Sequence, residues 1–200
     1  MQLTIKAAGE HVQVLSHLLA KNPSNVYERK QKGHLVRFFY STFTETNVEA
    51  TIFVVPDPIE LSKSRDNAYD ITHYINDREF AVSSIFCSFI RSALGTALNG
   101  QPKEEYAEWA RHPFSFEFEF GPVVSSLSDE GIRELFEPIG YEVTVTRGET
   151  GYSSSMKTKS SARFLTITGT KTLQEALRQL FVLIPVMDSY KHYYIDEKEV

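Results

Sequence analysis

The sequence predicts an α+β fold in which two lobes carry largely antiparallel sheets and packed helices. Phenylalanines at every second position from Phe114 to Phe120 alternate with polar residues, which is the period of a strand with one buried face. Residues 81–98 carry apolar side chains at helical spacing, which predicts a central buried helix. Both halves show the order strand, helix, hairpin, helix, so strands and helices are mixed along the whole chain.

The first lobe is predicted to span residues 1–100. Its expected elements are, in order, a strand over 3–7, a helix over 12–19, hairpin strands over 26–31 and 35–40, a strand over 48–55 and the central helix over 81–98. Asn22 and Pro23 stop the first helix. Gly100 follows the last apolar residue of the central helix and is its predicted C-terminal cap.

A polar connector over 101–113 is the predicted boundary between the lobes, and the second lobe covers 114–200. Its expected elements are a strand over 114–120, a helix capped by Ser128, strands over 141–147 and 163–169, and a helix that starts at the capping box of Thr172 and Glu175 and ends at Pro185. An internal structural repeat is one interpretation of the shared element order, although the two halves have little sequence identity.

Composition argues for an ordinary globular protein and against a global electrostatic grip on nucleic acid. Hydrophobic residues make up 42% of the 200-residue chain, and 26 acidic against 21 basic residues give a formal net charge of -5. The single cysteine, Cys87, cannot form an internal disulfide. The sequence shows no signal peptide and no apolar run of about 18 residues. We therefore expect a cytoplasmic chain that makes no membrane contact.

A search for catalytic and cofactor motifs predicts none in this chain. Gly95 and Gly100 have the first spacing of a phosphate-binding loop, but Gln101 and Pro102 replace its lysine and hydroxyl residue. The glycine-rich turn of dinucleotide-binding folds and the lysine motif of nucleotidyl-transfer ligases are also missing from the sequence. The six histidines are scattered, and His11 and His17 form the closest pair, which does not predict a metal site.

Two segments have the composition of a partner interface. Asn76, Asp77 and Arg78 stand among aromatic residues just before the central helix, where a helix cap is the alternative interpretation. The tail carries aromatic and basic anchors, and packing of the tail on its own lobe is the alternative. These tail residues are Tyr190, Lys191, His192 and Tyr193.

A small basic cluster is the candidate RNA contact. Lys157, Lys159 and Arg163 stand among serines between the last two predicted strands. A solvated hairpin loop is the plainer interpretation. The functional alternative is a phosphate contact for RNA that a partner holds.

A set of short motifs gives the chain a family resemblance. The matching fragments, in order, are Asp57 and Pro58 with Leu61, residues 74–78 leading to Ser83 and Ser84, residues 94–98, 135–143, 181–188, 191–193 and 196–200. In this order and spacing they resemble the N-terminal half of the bacterial RNA 3′-terminal ribose 2′-O-methyltransferases, the homologues of the plant Hua-enhancer small-RNA methyltransferase. Two segments depart from the family pattern: the loop over 148–161, and Ser189 with Tyr190 where acidic residues are expected.

The resemblance implies a function without chemistry in this chain. In that family the N-terminal half binds and activates the RNA ligase of a polynucleotide kinase–phosphatase–ligase, or a separate ligase subunit. The C-terminal half uses S-adenosylmethionine and a divalent metal to methylate the 2′-OH of the 3′-terminal ribose. We expect that half to be absent here, since the chain stops at Val200 inside a motif that should continue. The alternatives are a module that positions RNA ends, which would need salt-sensitive RNA binding, and an unrecognised enzyme.

Overall fold

The strands of both halves join in one antiparallel sheet. A computed structural model describes residues 1–31, 33–55, 83–123, 125–147 and 163–187. The strands in these ranges are β1 (Gln2–Ala8), β2 (Tyr27–Gln31), β3 (His34–Phe43), β4 (Asn47–Val55), β5 (Phe114–Val123), β6 (Glu142–Arg147) and β7 (Arg163–Lys171). Within the described ranges they form a seven-stranded sheet in the order β2-β3-β4-β1-β5-β7-β6, with every neighbouring pair antiparallel. The predicted α+β class with antiparallel sheet is confirmed.

The central strand β1 connects the two halves of the chain. It pairs with β4 on one side and with β5 on the other, so that Ile5 lies opposite both Ala50 and Phe118. The residues expected to form two lobes thus share one sheet instead of carrying separate sheets. The sheet continues across this pair because β1 and β5 both present apolar residues on the same face. The chain division at 101–113 stays a prediction.

The buried face of the sheet follows from the alternation in the sequence. The alternating phenylalanines of β5, from Phe114 to Phe120, are at most 4% exposed, whereas Glu117 and Glu119 on the opposite face both contact Lys6 Nζ. Helices cover the apolar face and close a single hydrophobic core. Period-two patterning therefore predicts the strand faces correctly, because each buried side chain removes apolar surface from water.

Short helices alternate with the strands. The α-helices are α1 (Leu15–Leu18), α2 (Ser83–Ile90), α3 (Gly95–Asn99), α4 (Asp129–Phe136) and α5 (Leu173–Met187). Single 3₁₀ turns are formed by Val12–Val14, Glu104–Tyr106, Glu108–Arg111 and Glu137–Ile139. None of the helices in the described ranges is long and apolar enough to cross a membrane.

The central helix expected over 81–98 is broken in the structure. Helices α2 and α3 are separated by a turn over 91–94, in which Leu94 leaves the helical region with φ −103° and ψ 10°. The Leu94 N–H donates to the carbonyls of both Ile90 and Arg91 at 3.2 Å, and Gly95, a poor helix former, follows. Apolar residues of the stripe are buried on both sides of the break. The spacing of these residues therefore reflects packing against the core and not one continuous helix. Gly100 caps α3 in the left-handed conformation, as predicted.

The structure also tests the predicted start of α4 and the predicted end of α5. The Ser128 hydroxyl accepts a hydrogen bond from the Gly131 N–H at 3.0 Å, which confirms the predicted cap of α4. The predicted end of α5 at Pro185 is wrong, since the helix runs on to Met187. A proline near the end of a helix removes one donor only, and Met187 is 1% exposed, so burial keeps the last residues helical.

Candidate functional site

An open groove lies between the chain over 11–23 and the connector over 101–109. It encloses about 1040 Å³. Its described lining residues are His11, Gln13, Val14, Ser16, His17, Ala20, Lys21, Asn22, Pro23, Phe43, Thr96, Gln101, Pro102, Lys103, Tyr106 and Trp109. We call this feature the His11–Trp109 groove.

Burial of the apolar side of α1 orients the imidazoles that line the groove. Val12, Leu15 and Leu18 are at most 3% exposed and anchor this segment on the core. His11 precedes these residues and His17 lies between Leu15 and Leu18, and both imidazoles are exposed and line the groove. The histidines therefore occupy the solvent side of a segment whose other side is fixed by the hydrophobic effect.

Left-handed backbone conformations mark both ends of this segment. His11 has φ 61° and Ala20 has φ 53°, and they are the non-glycine residues with positive φ in the described ranges. The left-handed region costs an L-residue about 1–2 kcal/mol. Ala20 N–H donates to His17 O and Lys21 N–H donates to Ser16 O, which closes the end of α1 in a Schellman motif. Strain of this kind is concentrated at functional sites in proteins.

The connector supplies the aromatic wall of the groove. It forms two 3₁₀ turns instead of an irregular loop, and their rings pair with the two imidazoles. Tyr106 stacks on His17 with ring centroids 3.8 Å apart, and Trp109 contacts His11 at 5.1 Å. Trp109 also stacks on Phe114 at 6.5 Å, which ties the groove wall to the first residue of β5.

The groove is basic although the chain is acidic. Lys21 and Lys103 line it, and none of its described lining residues is acidic. Lys21 Nζ lies 4.6 Å from the centre of the Tyr27 ring and donates to the carbonyl of Leu19 at 3.4 Å. Burial lowers the pKa of Lys21 below its usual value. The arrangement offers ammonium groups, imidazoles and aromatic rings, which suits a ligand that is both anionic and planar.

Most of the residues predicted to form interfaces lie outside the described ranges. This holds for Asn76, Asp77 and Arg78, for Lys157 and Lys159, and for Tyr190, Lys191, His192 and Tyr193. Their partner and RNA contacts stay predictions. The structure does describe Arg163, the remaining residue of the basic cluster.

Arg163 is engaged inside the fold, and its contact with RNA phosphate stays a prediction. It is 7% exposed and donates to Ser125 O at 3.0 Å. Its Nε lies 2.8 Å from Asp129 Oδ1, an ionic contact without the alignment of a hydrogen bond. Arg147 donates to the same carboxylate oxygen at 2.8 Å. This hydrogen bond with Arg147, reinforced by the charges of both arginines, lowers the pKa of Asp129.

Sequence reasoning missed the groove because the residues that build it are about a hundred positions apart. The separation of His11 and His17 by six residues was a usable signal, since both fall on the polar side of one apolar segment. Trp109 is the single tryptophan and stands in a connector expected to be solvated. In the described ranges no three His, Cys, Asp or Glu side chains are close enough together to hold a metal ion.

Comparisons with known proteins identify relatives of the fold. No curated protein matches the chain. The chain is similar to a chain of the "Structure of the Pnkp1/Rnl/Hen1 RNA repair complex", with 16% identity and a TM-score of 0.55 over 100% of this chain and 45% of that one. A second match, "Structure of Pnkp1/Rnl/Hen1 complex", has 15% identity and a TM-score of 0.56 over 98% of this chain and 44% of that one.

At these identities the structural likeness shows a shared fold, and the chain spans less than half the length of each solved chain. The family comparison goes further. Residues 1–200 match the model of one family along the whole sequence. The chain therefore belongs to the family described as the RNA repair, ligase-Pnkp-associating region of Hen1.

Proposed function

We propose that this chain is a non-catalytic domain of a cytoplasmic RNA-repair methyltransferase, and that it binds and activates a partner RNA ligase or polynucleotide kinase–phosphatase–ligase. The observation that carries the proposal is the family match over residues 1–200, because the family is described as ligase-Pnkp-associating. The solved chains with the same fold come from complexes of Pnkp1, Rnl and Hen1. We assign methylation of the terminal 2′-OH, with S-adenosylmethionine and a divalent metal, to the remainder of the full-length protein.

Activation by association requires the domain to bind one state of the ligase more tightly than another. Moving a two-state equilibrium from 1:99 to 99:1 needs about 5.5 kcal/mol of differential binding. Exposed ion pairs are worth roughly 0–1 kcal/mol each and cannot supply it alone. Desolvated aromatic and arginine anchors can, since single hot-spot residues contribute about 2–4 kcal/mol.

The end of α5 is an apolar surface next to the predicted tail anchors. Val182 and Val186, one turn apart, are 53% and 50% exposed. Exposed apolar residues that cluster in this way are typical of protein contacts. The tail with Tyr190 and Tyr193 follows directly in the sequence. We therefore place the ligase contact at the end of α5 and in the tail, with Asn76, Asp77 and Arg78 as a second candidate contact.

Co-purification and RNA joining test the proposal directly. The cognate ligase is purified with and without this chain, and RNA joining is measured in both preparations. We expect the chain to bind the ligase and to raise the joining rate. A ligase that neither binds the chain nor responds to it contradicts the proposal. Titration calorimetry with S-adenosylmethionine should give no binding, and stoichiometric binding would contradict the assignment of methylation to the remainder of the protein.

Matched variants locate the contact. Val182→Ser with Val186→Ser should lower ligase binding, and so should Tyr190→Ala with Tyr193→Ala, and Arg78→Ala. Val26→Ser and Arg29→Ala are the controls, since Val26 is 65% exposed and Arg29 is exposed on β2. If every variant is folded and stimulates joining as well as the parent, the activating surface lies elsewhere.

A further inference from the structure

The His11–Trp109 groove combines a local positive charge with a net negative chain. The formal net charge is -5, yet Lys21 and Lys103 lie in the groove lining with two imidazoles. The connector also carries Glu104, Glu105 and Glu108, none of which is among the described lining residues. A basic concave surface on an acidic protein attracts anionic ligands locally, because the surrounding low-dielectric walls focus its field.

The rest of the lining favours bases over a simple anion. Tyr106 and Trp109 are among the lining residues, and so are Gln13, Asn22 and Gln101, whose side chains carry amides. The Asn22 Oδ1 accepts a hydrogen bond from the Ser24 N–H at 2.9 Å. Aromatic rings stack with unpaired bases, whereas amides can donate to and accept from base edges. An acidic protein segment would use the ammonium groups but would leave the amides without the paired donors and acceptors of a base edge.

We propose that the His11–Trp109 groove binds a single-stranded segment of RNA, with Lys21 and Lys103 at phosphates and bases against the wall that Tyr106, Trp109 and their paired imidazoles form. This site goes beyond the proposed association with a ligase. The groove volume of about 1040 Å³ lies at the upper end of the range of roughly 300–1,000 Å³ for small-molecule pockets. Because the groove is open, it admits a strand that continues on either side.

The strained segment between His11 and Ala20 positions the groove side chains before RNA arrives. The Schellman motif at the end of α1 fixes the backbone of Ala20 and Lys21. The Tyr27 ring contacts the Lys21 ammonium group. His17 is held by Tyr106 at 3.8 Å. Fixed side chains lose little conformational entropy when a ligand binds, which raises the affinity for a given set of contacts.

Fluorescence anisotropy with a labelled single-stranded RNA oligonucleotide of mixed sequence tests the site. The full 200-residue chain should bind it more tightly than the same sequence annealed into a duplex. Lys21→Gln with Lys103→Gln should weaken binding about tenfold or more, the loss expected when charge-assisted contacts disappear. The slope of log affinity against log salt concentration should fall by about 1.4, since each phosphate contact to a single strand contributes roughly 0.7.

The control variant carries Arg29→Gln and Lys30→Gln, which remove the same charge from exposed positions of β2 outside the groove lining. Circular dichroism and thermal melting verify that each variant is folded. A 4-thiouridine placed in the RNA gives a second readout that does not depend on charge. Its crosslinks should map to the tryptic peptide 104–111, which contains both Tyr106 and Trp109.

The outcomes separate this site from the ligase contact. Equal losses in the groove and control variants would mean that RNA binds through net charge, and would overturn the proposal. So would a parent chain without affinity for the single strand at low salt, or crosslinks confined to other peptides. Loss of ligase binding with unchanged RNA affinity in the groove variant would make the groove a protein contact instead. A parent chain that binds RNA in the groove but does not stimulate the ligase contradicts the proposed function and leaves this site standing.

Discussion

The two halves of the molecule share an order of strands but differ in the packing beside the end of their first helices. In the described ranges each half has a strand at the centre of the sheet, then a short helix, an antiparallel hairpin and one or two helices. In the first half β1 lies beside β4, and in the second half β5 lies beside β7, with β3 and β6 outside them. The edge strand β2 is an addition to the first half. The internal repeat suggested by the order of elements in the sequence stays a prediction.

The first helix of each half ends in the same hydrogen-bond pattern. Ala20 and Lys21 close α1, whereas Gly140 and Tyr141 close the 3₁₀ turn that follows α4. In both cases the left-handed residue donates to a carbonyl three positions back, and the next residue donates to one five positions back. Glycine adopts that conformation without a steric penalty, and alanine does not.

The residue after each left-handed position accounts for a difference in packing between the halves. Tyr141 is 3% exposed, and its hydroxyl donates to Gln179 Oε1 at 2.7 Å, so it fills the space beside the helix end. Burial raises the pKa of the Tyr141 hydroxyl. In the first half Lys21 takes the equivalent place and lines an open groove. An aromatic side chain fills this position in the second half, whereas an open groove lies beside the equivalent residue of the first half.

The largest expected effect tests whether the two halves are one cooperative unit. Phe118 is fully buried and lies opposite both Ile5 and Ile167. Phe118→Ala should lower the free energy of unfolding by about 3–5 kcal/mol, the usual cost of removing a buried phenylalanine side chain. Urea unfolding followed by Trp109 fluorescence and by far-ultraviolet circular dichroism should show coincident transitions.

Phe164→Ala is the control for this variant, since Phe164 is 45% exposed and should cost little. Two separate transitions, with one unaffected by the Phe118 substitution, would show that the halves unfold independently. The two halves would then be separate domains that share a sheet.

The packing of the Tyr141 ring in the second half is tested by Gly169→Ala. A Cβ added at Gly169 would lie 2.6 Å from Tyr141 Cδ1 and 3.2 Å from the Gly140 carbonyl oxygen. We expect a loss of about 1–3 kcal/mol from overpacking, measured by denaturant unfolding. In the Tyr141→Leu background the same substitution should cost less, because the ring it displaces is gone. An equal cost in both backgrounds would place the strain in the backbone and not at the Tyr141 ring.

A smaller effect is expected from the ion pairs of Asp129. The pKa of its carboxyl is lowered in the folded state, so its contribution to stability is present above the unfolded value of about 4 and is lost as the pH falls through the folded pKa. Asp129→Asn should therefore cost at most about 1 kcal/mol at pH 7. The difference from the parent should close below about pH 4.

Glu130→Gln is the matched control for the Asp129 variant. Glu130 stands in the same first turn and pairs with Arg133, but its side chain is 68% exposed. We expect little change in stability from this variant at any pH. A stability difference for Asp129→Asn that persists at low pH would mean that the buried Arg163, and not the ionised carboxylate, determines the loss.

Local patterns predicted most of the fold, because they depend on short-range geometry. Phenylalanine alternation located β5, and the Ser128 cap located α4, since both signals act within a few residues. The patterns failed at Leu94, where the chain turns before Gly95, and at Pro185, where burial of Met187 keeps the last residues helical. The union of both halves in one sheet was also not predictable from local signals, because it depends on the pairing of β1 with a strand more than a hundred residues later.

The groove could not be predicted from local sequence patterns, because tertiary packing forms it. His11 contacts Trp109 across 98 positions of sequence, and neither residue forms a motif with its neighbours. The left-handed conformation of Ala20 was equally hidden, because alanine is not a residue that predicts it. Candidate sites derived from local composition therefore fell elsewhere, on segments such as the one that contains Arg163.

The smallest expected effect exchanges the two left-handed residues between the halves. Ala20→Gly should relieve about 1–2 kcal/mol of steric strain, while glycine increases the entropy of the unfolded chain by roughly 0.4–1 kcal/mol. The net gain in stability is then about 0.5–1 kcal/mol. Gly140→Ala should give the opposite change of similar size, since its Cβ would meet Lys171 Nζ at 3.8 Å, an ordinary contact. Thermal unfolding of both variants measures the two changes in stability. If Ala20→Gly instead destabilises the chain, the alanine methyl contributes packing that outweighs the strain. If it stabilises the chain and weakens RNA binding, the strain at Ala20 is retained because it holds Lys21 in place in the groove.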